Sequence, residues 1–176
     1  MKTAKAIFLD RDGTLIVDTH YLHDPAEVQL LPGVFEAIRL LREAGYLLFI
    51  LTNQSGVGRG YFPLEDVHRC NARMFELLEI EASWFSATGI APEAPDQPSR
   101  YRKPNPQFIN ECVDAFDLDR EACWMIGDRS SDVLCGINAG IRSVFLGGCL
   151  PNDVPGDTAK FSTLLDFARA HCDGRA

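Results

Sequence analysis

The chain has no long hydrophobic run. Its opening segment, MKTAKAIFLD, holds too short an apolar stretch for the core of a signal peptide, and no uninterrupted apolar segment approaches the roughly 20 residues of a membrane span. Positive charge is scarce too: 17 Lys and Arg against 25 Asp and Glu give a formal net charge of -8. That balance argues against a broad surface for nucleic acid or for an anionic membrane. No C-x-x-C pair occurs among the six cysteines, and a chain of 176 residues, 46% of them hydrophobic, can build a core without disulfide staples. The cysteines therefore read as reduced thiols. No internal repeat or low-complexity tract is present. These absences predict one globular domain over residues 1–176, cytoplasmic and monomeric, with no nucleic-acid or membrane partner.

Short apolar runs are present instead. AIFL at 6–9, YLLFIL at 46–51, CWMI at 123–126 and SVFL at 143–146 are near-continuously hydrophobic rather than alternating, as strands covered on both faces are. A weaker strand is expected over 84–88. Helical periodicity marks 33–44, 64–80, 105–116, 131–139 and 162–171, with Gly45 and Gly140 placed as helix-terminating glycines. Strands alternating with helices predict a Rossmann-like α/β fold, a parallel sheet with helices on both faces. In such sheets ligands bind beyond the carboxyl ends of the strands.

The residues at those ends are unusual. IFLDRDGTL closes the first strand with Asp10 and Asp12, one residue apart, and such neighbours repel unless a cation or a shared proton relieves them. Thr52 and Asn53 close the second strand, Asp128 and Asp132 follow the fourth, and Lys103 lies in the proline-rich loop 91–106. Carboxylates suit a hard divalent cation, while a hydroxyl and an ammonium suit phosphoryl oxygens.

DRDGT, TNQSG, RKP and GDRSSD, in that order, resemble the four motifs of the haloacid dehalogenase (HAD) superfamily of aspartate-nucleophile phosphatases. FLDRDGTLIVD, TNQSGVGRGYF and YRKPNP further resemble the D-glycero-D-manno-heptose-1,7-bisphosphate phosphatases, with histidinol-phosphatases close by. The resemblance implies that Asp10 is the nucleophile and Asp12 the general acid/base. It implies that Thr52 and Lys103 hold the transferring phosphate. Magnesium would be held by Asp10, the Asp12 carbonyl and Asp128, with Asp132 orienting that shell. Tyr21 and His23 would lie in a flap beside a small phosphorylated sugar, with Asn53 counted among the substrate-binding residues.

Superfamily members commonly select substrates with a cap domain, yet neither gap between motifs is long enough for a large one here. The heptose bisphosphate phosphatases commonly carry a Cys/His zinc site before the lysine motif. Ser99 and Tyr101 stand where cysteines would be, and 84–102 contains neither Cys nor His, so no structural zinc is expected. Arg59, Arg102 and Arg129 remain, and planar bidentate donors of that kind suit a second substrate phosphate.

Other readings have specific weaknesses. A calcium loop counted from Asp10 would need Gly and Glu where Leu15 and Tyr21 stand, and GVGRG fits neither the dinucleotide nor the P-loop pattern. His20 and His23 form an H-x-x-H, but in a polar segment that reads as loop. A phospho-aspartate receiver domain uses similar parts, though with its acidic pair on an earlier strand than the acceptor. Histidinol phosphate and a nucleic-acid 3′-phosphate are alternative substrates, the latter disfavoured by the net charge.

Overall fold

The computed structural model describes residues 4–172. Residues 1–3, which open the segment considered above as a leader, and residues 173–176 lie outside the described residues. The elements run β1 (Lys5–Leu9), α1 (Val34–Glu43), β2 (Tyr46–Asn53), α2 (Ser55–Gly58), α3 (Leu64–Leu77), β3 (Ala87–Ala91), α4 (Gln107–Ala115), β4 (Trp124–Gly127), α5 (Ser130–Asn138), β5 (Arg142–Leu146), β6 (Ala159–Phe161) and α6 (Leu164–Cys172). All six strands pair in parallel, in the order β3-β2-β1-β4-β5-β6.

Parallel neighbours need crossovers, and the helices of those crossovers cover both faces, which is why the strands carry unbroken apolar runs. Alternate residues divide between two cores. Ile7, Leu9, Leu48 and Ile50 pack with Val34, Ile38 and Leu41 of α1, Met74 of α3 and Phe167 of α6. Ala6, Phe8, Phe49 and Leu51 pack on the opposite face with Phe108 and Ile109 of α4 and Cys135 of α5. Phe8 and Phe49, neighbours in register, stack at 4.7 Å. The buried positions of α1, Val34, Ala37, Ile38 and Leu41, follow the three-and-four spacing of one helix face, and Gly45 at φ 83° ends it. Truncating Leu41 to Ala would cost about 2–5 kcal/mol.

The sequence reading and the structure differ in three places. The third strand begins at Ala87, not 84, because Ala82–Trp84 forms a 3-10 turn. The ATGIA of β3 has two alanines and a glycine, residues depleted in strands, so its strand signal is weak. The Gly-rich SGVG forms the single turn α2, and the edge strand β6 has only three residues, too few for a period to register.

Chain direction places the site. After β1 the chain moves to β2 and β3, then crosses back to β4 on the other side of β1. The carboxyl ends of β1 and β4 therefore border the crevice where the strand order reverses, the usual ligand position of such sheets. No large cap closes it. The connection from β1 to α1 folds back on itself, with Val17 N–H donating to Gln29 O (2.9 Å) and Leu31 N–H to Leu15 O (3.0 Å), so it forms a flap of modest size. No helix among the described residues is long and apolar enough to cross a membrane.

Candidate active site

The sheet's carboxyl edge carries a cleft of about 280 Å³, lined by Asp10, Asp12, Asn53, Arg102, Lys103 and Arg129 together with Tyr21 of the flap and Gln54, Ser55 and Gly56 after β2. Asp10 is tied to the sheet by its own N–H, which donates to Ile126 O of β4 at 3.0 Å. Its Oδ1 accepts from Arg11 N–H (2.7 Å) and meets Lys103 Nζ (2.7 Å). Both donors fix one oxygen, so Oδ2 is left without a donor among the described residues.

Lys103 Nζ also lies 2.6 Å from Asp132 Oδ1, and the three side chains are only 1% (Lys103), 7% (Asp10) and 0% (Asp132) exposed. One ammonium thus serves two buried carboxylates. Although burial works against its charge, Asp10 and Asp132 hold Lys103 above the usual lysine range. Burial, reinforced by the charges of Asp132 and Asp12 and opposed by Lys103, pushes Asp10 up to about 8. Asp128 is raised to about 6, by burial and by Asp132. The cluster carries more negative charge than its own cation relieves.

Asp10, Asp128 and Asp132 each offer an oxygen within 4.8 Å of the others, the one such cluster among the described residues. Asp132 is already engaged, through Lys103 and through Oδ2, which accepts from Arg129 N–H at 2.9 Å. Asp128 Oδ1 is buried with no hydrogen-bond partner among the described residues. Gly13, at φ 79°, lets the chain pass this carboxylate, since a Cβ there would stand 2.1 Å from Asp128 Oδ2. No backbone N–H among the described residues is bonded to the Asp12 carbonyl. Two under-partnered carboxylates and an open carbonyl are the oxygen donors that a magnesium ion takes alongside several waters.

The Asp12 carboxylate is gripped from several sides. Arg11 reaches it with Nε to Oδ2 and Nη2 to Oδ1, both 3.1 Å. Gln54 Nε2 donates to Oδ2 at 2.8 Å, and the Thr52 hydroxyl lies 3.4 Å from the same oxygen. Thr52 is fully buried. Asn53 stands in the cleft wall but commits its amide to the lysine loop, accepting from Lys103 N–H (3.0 Å) and donating to Lys103 O (3.2 Å). It holds the lysine in place, a role the sequence reading had assigned to no residue.

The substrate-side residues divide. Tyr21 lines the cleft, whereas His23 is exposed, outside the lining residues, stacked on Phe62 at 5.2 Å with Nδ1 2.9 Å from Tyr21 O. Gly56 makes room for this arrangement, because a Cβ there would lie 2.4 Å from the Phe62 ring and 3.0 Å from that of Tyr21. Arg102 is half-buried in the cleft, its charge disfavoured by burial and by Arg59 close by, while Arg59 itself is exposed and outside the lining. Arg129 lines the cleft and pairs with Asp18 of the flap at 2.6 Å. Ser99 and Tyr101 are bound by hydrogen bonds: Ser99 Oγ donates to Glu93 (2.7 Å) and accepts from Arg102 N–H (3.1 Å), and Tyr101 OH donates to Glu111 (2.7 Å).

Sequence reasoning missed Arg11, Gln54, Asn71 and Asp18. Arg11 carried a signal, a charge between two carboxylates at the end of an apolar strand. Asn71, in the middle of α3, carried none.

A crevice of this kind at the switch point, with a lysine shared by two aspartates, belongs to the HAD-like hydrolases, and a HAD-hydrolase-like family model matches residues 100–148. The chain is 36% identical over 148 residues to the D-glycero-β-D-manno-heptose-1,7-bisphosphate 7-phosphatase of Helicobacter pylori, covering 83% of this chain and 85% of that one. It is 34% identical to the α-anomer enzyme of Burkholderia mallei, over 81% and 79% of the two chains. The crystal structure of the D,D-heptose 1,7-bisphosphate phosphatase of B. bronchiseptica, complexed with magnesium and phosphate, superposes with a TM-score of 0.80 at 27% identity, covering 94% of this chain and 97% of that one. The chain belongs to the heptose-1,7-bisphosphate 7-phosphatase family of HAD-fold phosphatases.

Proposed function

We propose that this phosphatase removes the 7-phosphate of a D-glycero-D-manno-heptose 1,7-bisphosphate through an aspartyl phosphate on Asp10. The observation that carries the reading is Asp10 itself: one oxygen pinned by Lys103 and Arg11 N–H, the other without a donor among the described residues, at the floor of the cleft and beside Asp12. The Asp10 oxygen attacks phosphorus, and the bond from phosphorus to the sugar oxygen breaks. Asp12 delivers a proton to the departing alkoxide. It then takes a proton from the water that attacks the aspartyl phosphate, so that inorganic phosphate leaves and the Asp10 carboxylate is restored. Lys103 and Thr52 donate to the phosphoryl oxygens as charge shifts onto them.

Asp10, Asp128 and the Asp12 carbonyl are the groups that would hold magnesium. When bound, the ion supplies positive charge that keeps Asp10 ionised and polarises the phosphoryl group. Arg102 and Arg129 on the cleft wall, with Arg59 next to Arg102, suit the second phosphate. Relatives carry the names of both anomers.

The test is phosphate release, under matched magnesium, from both heptose bisphosphate anomers, histidinol phosphate and a 3′-phosphorylated oligonucleotide. One heptose anomer should lead the other three substrates in kcat/KM. Equal, feeble release from all four would sink the substrate assignment. A long-lived phosphoprotein without turnover would favour a receiver-type switch instead.

A further inference from the structure

Arg11 is the largest fully buried side chain among the described residues, at 0% exposure, on a chain segment whose Leu9, Leu15 and Ile16 are fully buried too. The turn it belongs to does not need a guanidinium. Its backbone carbonyl alone collects the N–H groups of Thr14 (3.3 Å), Leu15 (2.9 Å) and Ile16 (3.1 Å), bonds that any residue would make. A buried guanidinium is costly to desolvate unless its donors are matched. Among the described residues, its one ion-pair partner is Asp12, which it takes with both Nε and Nη2. The remaining arm, Nη1, donates to Asn71 Oδ1 at 2.9 Å, and Asn71 is itself only 7% exposed, on α3 between the core residues Cys70 and Met74.

From this geometry we infer that Arg11 and Asn71 are positioning residues for Asp12. The fork fixes the plane of the carboxylate, and Asn71 fixes the fork by anchoring it to a helix packed on the sheet. Asp12 is a short side chain beside a glycine, and the fork limits its rotation. Proton delivery needs its oxygen within hydrogen-bond reach of the leaving group, so looseness costs rate without changing which groups bind the phosphate. This inference rests on the reading of Asp12 as the acid/base, and the experiment separates the two.

kcat/KM, which reports the steps through phosphoryl transfer to Asp10, is measured on the heptose bisphosphate and on 2,4-dinitrophenyl phosphate. The first has a leaving alkoxide that needs a proton, and the second has a leaving phenolate that does not. Asp12→Asn should lose about 10²-fold or more on the sugar ester and little on the aryl ester. Asn71→Ala should show the same selectivity with a smaller loss, at least about tenfold on the sugar ester, part of the roughly 10²–10⁴ that a positioned acid supplies. Asn71→Asp, which keeps an oxygen for Nη1, should restore most of it. Arg11→Met should match Asn71→Ala or exceed it, and the Asn71 pair decides the matter if that variant does not fold. A selective Asp12→Asn with an Asn71→Ala that loses equally on both esters, or loses nothing, overturns the positioning role alone. An unselective Asp12→Asn removes the acid/base reading and the positioning role with it.

Discussion

At the floor of the cleft, Lys103, Asp10 and Asp132 have side chains 1%, 7% and 0% exposed, and Lys103 Nζ meets the two carboxylates at 2.7 and 2.6 Å. At its rim, Tyr21 is 47% exposed and the Arg129 side chain 56%. The floor is made by the end of a central strand, by α5 and by a loop clasped to the sheet, whereas the rim is made by connections. Groups that perform bond-breaking need fixed positions and low dielectric, which buried strand ends supply. Groups that choose among substrates work from surfaces that vary without disturbing the core.

That contrast can be broken most sharply at Asp10. Asp10→Asn should lower kcat by about 10⁴-fold or more while leaving the thermal midpoint at or above the parent value, because it deletes the proposed nucleophile and a buried charge together. Phosphate release and a melting curve on the same sample check both halves, and parent-like turnover would overturn the nucleophile assignment. Lys103→Met should damage fold and activity alike. It strands Asp10 and Asp132 without their cation, and losing one partner of a buried pair typically costs about 3–5 kcal/mol, readable by denaturant titration.

Rim substitutions should do less. Arg129→Ala should raise KM for a sugar bisphosphate about tenfold, roughly the 1.4 kcal/mol of one lost charged contact, with little change for a monophosphate. Asp18→Asn should have the smallest effect. Burial raises the Asp18 carboxyl, but the His20 N–H and Arg129 outweigh it and hold the group below its ordinary value of 3.8. A lowered folded-state value means the stabilisation is complete above the ordinary value and fades as pH falls through the lower one. The stability gap between parent and Asp18→Asn should therefore be about 1 kcal/mol or less at pH 7 and close below about pH 4. A gap that widened on acidification would contradict the pairing.

The floor was legible in the sequence because its residues sit at fixed offsets from apolar strands, as Asp10 and Asp12 do after AIFL and Asp128 does after CWMI. Strand continuity thus carried the fold and the candidate site together. What escaped reading depends on tertiary approach. The Arg11–Asn71 bond joins residues 60 apart and the Arg129–Asp18 bond residues 111 apart, and no local pattern encodes either. His23 and Arg59 were expected beside the substrate from their motifs, yet the folded loops leave both outside the cleft lining. Three-residue β6 and one-turn α2 are fixed by their neighbours, not by a period of their own.

The clasp of Asn53 on Lys103 has a consequence for motion. By giving both its amide oxygen and its amide nitrogen to the backbone N–H and carbonyl of one residue, Asn53 acts as a further rung of the ladder, and a residue in a proline-rich loop is held by the same kind of bond as a strand. The Lys103 amide proton should then exchange with deuterium on the slow timescale of the β2 amides, tens of residues away in sequence, and Asn53→Ala should release it to the fast exchange of a loop.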